Sequence, residues 1–361
     1  MPRILISTDE PNFSLGLVEG YRAAGCEVVT GTANFRLRAA NYDVVHHQWP
    51  EEFSGWRAPS AREIDQVRQH LEWWRDRAIN IFTVNNLYPH ELDHDAACHE
   101  LYSNFYRYCQ LITHYSRTSL EMVLSEFPAA HAARHVVHSP ANYEVTLASQ
   151  KSRGSRRRAL GIREDDFVIL MLGSLRSWEE IRLIQNAFDR VRVPRKRLLM
   201  AGKLVVRDSF WRKRIKQLMW QLWLKRRHAI IDARYVPETE ISQFVDSCDL
   251  AIVPRFSGLS SGIVNLAMTF GRAVIAPRHG AYPEYFVGTR NLLYETGNAE
   301  SLAAALDEAA LLDLDEIGRE NALLASRWTW KKMCESCLEA AGIANLVSRT
   351  GAQQHCSANG S

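Results

Sequence analysis

A loop of small residues, Ser257–Gly262 (SGLSSG), has the composition and the setting of an anion-binding site. It follows Asp249–Pro254 (DLAIVP), a short apolar run that predicts a strand covered on both faces, and it precedes the helically spaced IVNLAMTF, which Gly271 ends. Unpaired backbone N–H groups at the start of a helix attract negative charge, so this layout suits a phosphate or diphosphate. A plain turn between a strand and a helix has the same pattern, and both interpretations stay open at this point.

The elements around this loop continue the same alternation, with AVIAP after Gly271 as the next predicted strand. Strands and helices that alternate at this length indicate βαβ units and a parallel sheet, in which ligands bind beyond the C-terminal ends of the strands. The first half of the chain has predicted strands at Arg3–Thr8, EVVTG, Tyr42–Trp49 and Ile79–Asn86, and predicted helices at Ser14–Ala24 and Ala61–Arg77. Residues directly after each strand are therefore the candidates for ligand contact.

A second α/β region begins after residues 150–163 (QKSRGSRRRALGIR), which have the composition of a linker. Phe167–Trp178 restarts the pattern of strand and loop, and RLLMAGKL and AIIDARYVP predict further strands. We therefore predict an N-terminal domain over residues 1–149 and a second domain over residues 150–327. A closing helix over residues 328–345 and a small, polar, disordered tail over residues 346–361 complete the prediction.

The bulk properties are those of a globular protein of 361 residues, 46% hydrophobic and 24% charged, with a net charge of +3. The length favours two domains, and the charge is too small to indicate nucleic-acid binding. No apolar run reaches the roughly 18–20 residues that cross a bilayer, and the start, MPRILISTDEP, lacks the apolar core of a signal peptide. Seven cysteines without framework spacing indicate reduced thiols in the cytoplasm, and the lone CxxC at Cys334 and Cys337 predicts no metal site.

The second half of the chain resembles the donor-binding region of the group 1, family-4-like glycosyltransferases of the GT-B class. In that family EAMAxGxPVIA precedes a GGxxE turn, and here NLAMTFGRAVIAP and HGAYPE take these places, after PETEISQFVDSCDLAIVP. The resemblance covers roughly residues 3–340 and is strongest in the C-terminal half. It implies an α/β GT-B fold, with two Rossmann-like doubly wound domains that face a central cleft. It also implies a hexosyltransferase whose C-terminal domain holds a nucleotide sugar, and a last helix, residues 328–345, that crosses back onto the N-terminal domain.

The resemblance places donor contacts in the loops after the strands of the second domain. GSLRSWEEI matches a loop that supplies a cation to the donor diphosphate, with Arg176 as the arginine and Glu179 where the family has a lysine. A carboxylate there would repel the diphosphate, so Lys203, in LMAGKL, is a candidate to compensate. Further donor contacts are implied for Ser260, Ser261, Gly262 and Glu284.

A second departure from the family concerns the helix after the SGLSSG loop. The family glutamate that holds the donor ribose is replaced, in our assignment, by Asn265. The amide can donate and accept hydrogen bonds but carries no charge. The paired glutamates of retaining members are therefore not present, which favours an inverting transfer.

Two motifs in the first half resemble those of the inverting β-mannosyltransferase of xanthan assembly and its exopolysaccharide relatives. HHQWPEE (His46–Glu52) is similar to HLHWPE, and TVNNLYPHE (Thr83–Glu91) is similar to TLHNLAPHE, with Asn85 in place of a histidine. An inverting transfer needs a base within hydrogen-bond reach of the acceptor hydroxyl. The candidate bases are Glu51, His90 and Glu91, and the candidate acceptor contacts are Asn12, His47 and Asn86. Capping of a helix by Glu91 and packing of His90 in its loop are the structural alternatives.

The segment Phe210–Arg227 combines bulky apolar residues with a cluster of Lys and Arg at each end. One helical face carries Trp211, Ile215, Leu218 and Leu222, and Met219, Trp220 and Trp223 widen it. This pattern is typical of an interfacial helix that meets anionic lipid. An ordinary packed helix with a solvated basic rim is the alternative.

These features predict a glycosyltransferase that moves a sugar from a nucleotide-diphosphate donor, with GDP-mannose as the first candidate, to a lipid-linked or oligosaccharide acceptor. We expect inversion, no metal or other cofactor and no nucleic-acid partner. We also expect a role in polysaccharide or glycoconjugate synthesis and a cytoplasmic location, with peripheral attachment at the inner face of the cytoplasmic membrane. The alternative is a catalytically weak GT-B partner subunit, suggested by Asn85, Glu179 and Asn265. A third reading is another two-domain sugar-nucleotide enzyme, such as an epimerase.

Overall fold

The computed structural model describes residues 1–38, 40–89, 95–143, 153–206, 208–232, 234, 236 and 238–343. Its contacts divide the chain into two units, Met1–Ala141 with the chain from Trp328 onward, and Asn142–Arg327. The predicted boundary between residues 149 and 150, and the predicted tail over residues 346–361, lie outside the described residues.

Unit 1 is built on a sheet of six parallel strands in the order β2-β1-β3-β4-β5-β6. The strands are β1 Arg3–Ile6, β2 Glu27–Thr30, β3 Val44–His47, β4 Ile79–Thr83, β5 Leu111–His114 and β6 Arg134–Val137. The chain adds β2 on one side of β1 and β3 on the other. The loops that follow β1 and β3 therefore diverge at the point where ligands bind in doubly wound sheets.

Unit 2 repeats the parallel arrangement, with its six strands in the order β12-β11-β10-β7-β8-β9. The strands are β7 Phe167–Leu172, β8 Lys196–Ala201, β9 Ile230–Asp232, β10 Leu250–Ile252, β11 Ala273–Pro277 and β12 Leu292–Tyr294. This is the Rossmann order, and its reversal lies between β7 and β10.

Helices connect the strands along the chain. In order they are α1 Pro11–Ala23, α2 Thr32–Leu37, α3 Ala61–Arg75, α4 Ala96–Tyr108, α5 Arg117–Glu126, α6 Arg153–Ala159, α7 Trp178–Arg190, α8 Phe210–Arg226, α9 Glu238–Ser247, α10 Gly262–Thr269, α11 Tyr282–Tyr285, α12 Ala299–Ala309, α13 Leu314–Ala325 and α14 Trp330–Ala340. Side chains fix several starting points. At α3, Ser60 and Glu63 form a capping box that satisfies two backbone N–H groups.

The last helix, α14, belongs to unit 1 because it packs against α1 through two glycines. A Cβ atom on Gly20 would lie 2.7 Å from the carbonyl oxygen of Trp330 and 2.8 Å from Cys334 Sγ, so the helices approach only because that atom is missing. Gly16 is pressed against the Trp330 ring in the same way. Cys334 and Cys337 are buried, free thiols in this contact.

The sequence predicted nine of these strands, including β1 to β4, β7 and β10, with ends that differ by a few residues. Three strands, β5, β6 and β12, were not predicted. β5 is four residues long and mixes apolar with polar side chains (LITH), all of them buried, so it shows neither an apolar run nor an alternation.

Candidate functional site

The loops after β7 and β10 meet beside the start of α10, at the reversal point of the unit 2 sheet. Ser261 caps α10 by accepting a hydrogen bond from the Ile263 backbone N–H at 3.4 Å. A Cβ on Gly173, directly after β7, would lie 3.3 Å from Ile263 Cδ1. The N-terminus of α10, predicted from SGLSSG, is thus in contact with the loop that carries Arg176.

Glycine also brings the ends of β7 and β8 together. Gly202 has a φ of 145°, and a Cβ on it would lie 2.2 Å from the Gly173 carbonyl oxygen. Only glycine fits at this position. The Leu175 N–H then donates to the Lys203 carbonyl oxygen at 2.9 Å. Lys203 and Arg176 therefore lie on adjacent loops, and Lys203 is exposed.

A buried ion pair joins the loops after β7 and β10. Arg255 Nη1 donates to Glu180 Oε1 at 2.8 Å, and its Nη2 donates to the Ser174 carbonyl oxygen at 2.9 Å. The other carboxylate oxygen of Glu180 accepts from the Arg176 backbone N–H at 2.7 Å. Both charged side chains are less than a tenth exposed, so one carboxylate fixes the backbone that positions Arg176.

Neither Arg255 nor Glu180 was among the predicted site residues, and the neighbouring Glu179 was predicted to face the diphosphate instead. Glu179, expected to repel a diphosphate, is more than half exposed and pairs with Arg182 at 2.8 Å on the surface of α7. Successive residues of a helix point about 100° apart, so Glu180 faces inward where Glu179 faces solvent. The expected repulsion is therefore not supported by the position of Glu179.

The remaining donor-side residues flank the same loops. Asn265 is buried on α10, and its Oδ1 has no hydrogen-bond partner among the described residues. Leu266, directly before the Ala-Met pair that matches the family motif, is buried too, so neither position offers a carboxylate. Glu284 lies half-buried in α11. Tyr282, also in α11, is buried. Burial raises the pKa of Tyr282, and the positive charges of Arg255 and Arg176 oppose that rise.

In unit 1, the loops after β1 and β3 are joined by Glu52, a residue that the sequence analysis did not single out. Glu52 accepts from Thr8 Oγ1 and from the Asp9 backbone N–H, both at 2.6 Å. Burial raises the pKa of Glu52, and these two hydrogen bonds oppose that rise. Glu52 also borders a cavity of about 440 Å³ whose lining includes Arg36, Phe53 and His70.

The two histidines at the end of β3, His46 and His47, are interior residues. His47 Nδ1 lies 2.7 Å from Ser7 Oγ, and His46 lies between Tyr21 Oη at 2.8 Å and Thr83 Oγ1 at 2.7 Å. Burial lowers the pKa of each imidazole to about 3, so both are neutral at ordinary pH. Because His47 has no exposed surface, the predicted contact of its side chain with an acceptor is not available in this arrangement.

Glu51 also points inward. Its Oε2 accepts from Tyr102 Oη at 2.7 Å, and only 3% of the residue is exposed. Burial raises its pKa, and the Tyr102 hydrogen bond opposes that rise. Asn86 is half-buried after β4, while His90, Glu91 and the side chain of Asn12 lie outside the described residues. Of the three predicted bases the structure describes only Glu51, and His90 and Glu91 stay predictions.

No described helix is both long and apolar enough to cross a membrane. No group of three or more His, Cys, Asp and Glu side chains, in the part of the chain that the structure describes, could hold a metal ion.

This chain is similar to known proteins both in sequence and in fold. Residues 152–321 match the family model described as "Glycosyl transferases group 1". An uncharacterized glycosyltransferase of Methanocaldococcus jannaschii is 25% identical over 279 residues, which is 75% of this chain and 67% of the relative. The chain is therefore similar to group 1 glycosyltransferases over residues 152–321, and these matches support a transferase enzyme.

Solved structures share the fold over nearly the whole chain. HepE of Anabaena, in complex with UDP and glucose, has a TM-score of 0.65 at 14% identity and covers 94% of this chain and 100% of its own. The catalytic domain of starch synthase IV of Arabidopsis thaliana, bound to ADP and acarbose, has a TM-score of 0.66 at 12% identity, and the match covers 96% of this chain and 99% of that one. The predicted α/β fold of GT-B type is confirmed.

Replacing Arg255 by Met should destabilise the protein, because Glu180 then stays buried without its partner. We expect a loss of about 3–5 kcal/mol in the free energy of unfolding, measured in urea. Arg255→Met combined with Glu180→Leu should lose much less, since both charges are gone. Arg290→Met, at an exposed ion pair, is the matched control and should cost under about 1 kcal/mol. Equal losses for Arg255→Met and Arg290→Met would contradict the role of the pair.

Glu51→Gln should stabilise the protein at high pH. Because burial raises the pKa of Glu51, the folded state binds this proton more tightly than the unfolded chain, and stability falls as the pH rises through the raised pKa. Glutamine keeps an acceptor for Tyr102 and cannot ionise. Its melting temperature should exceed that of the parent at about pH 8, and the gain should vanish near pH 4, about the ordinary pKa of glutamate.

Thermal unfolding across that pH range measures the effect, with Glu308→Gln at an exposed position as the control. A gain that is the same at every pH, or a loss at pH 8, would show that Glu51 is not held against ionisation.

Proposed function

We propose that the protein transfers a sugar from a nucleotide-diphosphate donor to a lipid-linked or oligosaccharide acceptor in polysaccharide or glycoconjugate synthesis. One observation carries the proposal: the start of α10, the Arg176 loop and the Lys203 loop are held side by side at the reversal point of the unit 2 sheet. Ligands of doubly wound sheets bind at such points.

The donor diphosphate lies, in this proposal, against Ser260–Gly262, with the guanidinium of Arg176 on its oxygens. The helix N-terminus supplies N–H donors, and the arginine can bind two oxygens at once. Lys203 adds charge from the neighbouring loop. Asn265, whose buried Oδ1 lacks a partner among the described residues, is available to a donor hydroxyl. Glu284, half-buried in α11, is a further proposed donor contact. We propose that these groups act without a metal ion.

For the nucleotide, the N-terminal motifs favour GDP-mannose, while the similar solved structures are described with UDP or ADP. A ligand that binds only the folded state raises the melting temperature by mass action. A panel of GDP, UDP and ADP sugars tested by thermal shift therefore identifies the donor. The proposal fails if no nucleotide sugar shifts the melting temperature.

Arg176→Ala should weaken donor binding by about 1.5–3 kcal/mol, the usual range for a hydrogen bond to a charged group. Calorimetric titration of the nucleotide sugar chosen by the panel measures the dissociation constant. Arg182→Ala is the matched control, because Arg182 is exposed on the next turn of α7 and pairs with Glu179. An unchanged dissociation constant for Arg176→Ala would rule the contact out.

The chemical step that we propose inverts the anomeric carbon. A base removes the proton of the acceptor hydroxyl while the hydroxyl oxygen forms a bond to the anomeric carbon. The bond from that carbon to the diphosphate oxygen breaks on the opposite face. The nucleoside diphosphate leaves with the electron pair, and Arg176 stabilises its negative charge. Glu91, His90 and Glu51 remain the proposed bases; Glu51 needs access that its contact with Tyr102 now blocks.

Proton NMR of the first product reports the stereochemistry directly. We expect the anomeric configuration opposite to that of the donor, because no glutamate occupies the Asn265–Leu266 positions. Retention of the donor configuration would contradict the inverting proposal and leave the transferase assignment intact.

The alternative, a catalytically weak partner subunit, now depends on Asn85 and Asn265 alone, since Glu179 points to solvent. Transfer or donor hydrolysis by the purified protein separates the two proposals. The epimerase alternative differs in that the donor sugar is converted without any acceptor.

A further inference from the structure

Helix α8 exposes a ridge of large apolar side chains to solvent. These side chains are between 47% and 71% exposed, and they are Phe210, Trp211, Ile215, Leu218, Met219 and Leu222. At 100° per residue, Trp211, Leu218 and Leu222 lie within about 40° of one another around the helix axis. Exposed apolar groups concentrated in this way mark an interaction surface, whereas single ones do not.

The opposite face of α8 fixes this orientation. Trp220 and Leu224 are buried in the core of unit 2, and Trp223 stacks on Trp220 with ring centroids 5.1 Å apart. Trp223 Nε1 also donates to Asp189 at 3.1 Å. Trp220 and Trp223 were assigned to the apolar face that includes Trp211, but they instead anchor the helix to unit 2. The exposed ridge lies about 180° from Trp220.

Basic side chains flank the centre of the ridge, formed by Trp211, Leu218 and Leu222, on both sides. Arg214 and Lys225 lie along one edge, Arg212 and Arg226 lie along the other, and all four are exposed. Phe210–Arg227 contains no Asp or Glu. The acidic partners outside it, Asp208 and Asp189, pair with Lys216 and Arg227, which are not among the four.

We infer that the α8 ridge is the surface by which this protein binds an anionic lipid bilayer. The aromatic and aliphatic side chains enter the interface while Lys and Arg meet the lipid phosphates, which is how amphipathic helices lie on membranes. A protein partner would need acidic groups on both sides of an apolar groove, whereas an anionic bilayer supplies both features everywhere. The inference rests on the proposed function in one respect: a lipid-linked acceptor gives the contact its purpose.

Cosedimentation with vesicles tests this surface. Vesicles of phosphatidylcholine alone and of phosphatidylcholine with phosphatidylglycerol are compared at about 0.05 M and about 0.5 M salt. We expect binding to the anionic vesicles at low salt and weaker binding at high salt. Arg214→Gln, Lys225→Gln and Arg226→Gln together should lower the partition coefficient about 100-fold, about fivefold per charge. Trp211→Gln, Leu218→Gln and Leu222→Gln together should lower binding at both salt concentrations.

Matched variants carry the same changes elsewhere on the exposed surface. Arg62→Gln, Arg107→Gln and Arg319→Gln remove three charges, and Leu311→Gln with Leu323→Gln replaces exposed apolar residues. Both control sets should bind anionic vesicles like the parent. Equal partitioning to both vesicle types, binding to neither, or undiminished binding of the α8 variants would overturn the inference.

A second copy of the chain is the competing occupant. Sedimentation velocity without lipid should give the same species for the parent and for the Trp211, Leu218 and Leu222 variant. A dimer of the parent that this variant abolishes would overturn the inference. The outcome is separable from the proposed function, because the α8 variants should keep the thermal shift that the donor produces.

Discussion

The buried ion pair between Arg255 and Glu180 joins the loops at the C-terminal ends of β7 and β10, where the candidate donor site lies. One carboxylate binds a guanidinium from the loop after β10 and a backbone N–H from the loop after β7. Removing either charge would leave the other buried without a partner of opposite charge. The pair therefore couples the backbone at Arg176 to the loop after β10, which leads into α10.

Much of the fold could be predicted from the sequence, because parallel strands buried on both faces leave apolar runs that local patterns reveal. β7 and β10 are such runs; Gly173 follows β7 directly, and the small-residue loop Ser257–Gly262 lies a few residues beyond β10. β5 was not predictable in this way, since its threonine and histidine are buried by tertiary contacts. The close packing of α14 on α1 depends on Gly16 and Gly20, whose role appears only when Trp330 is placed against them.

The parts of the candidate site that depend on the backbone, such as the start of a helix, could be predicted from the sequence. The direction in which individual side chains point could not. Ser261 caps α10 and Gly262 is its first residue, and the small-residue motif identified that start. Glu179 and Glu180 are adjacent and chemically identical, and the sequence could not tell which one faces the interior. The same limit applies to Glu51, which points at Tyr102. Trp220 differs, because 100° per residue already places it opposite Trp211 on α8, and its assignment to the exposed face was wrong.

The central claim is that a nucleoside diphosphate binds where the loops after β7 and β10 meet, and hydrogen exchange read by mass spectrometry tests it most directly. The nucleoside diphosphate of the preferred donor should slow exchange of the backbone amides in residues 173–177 and 258–263 together, because the Arg255–Glu180 pair couples the two loops. Arg176→Ala should lessen that protection while leaving other regions unchanged. Protection confined to other segments, or none in either loop at saturating nucleotide, would contradict the account.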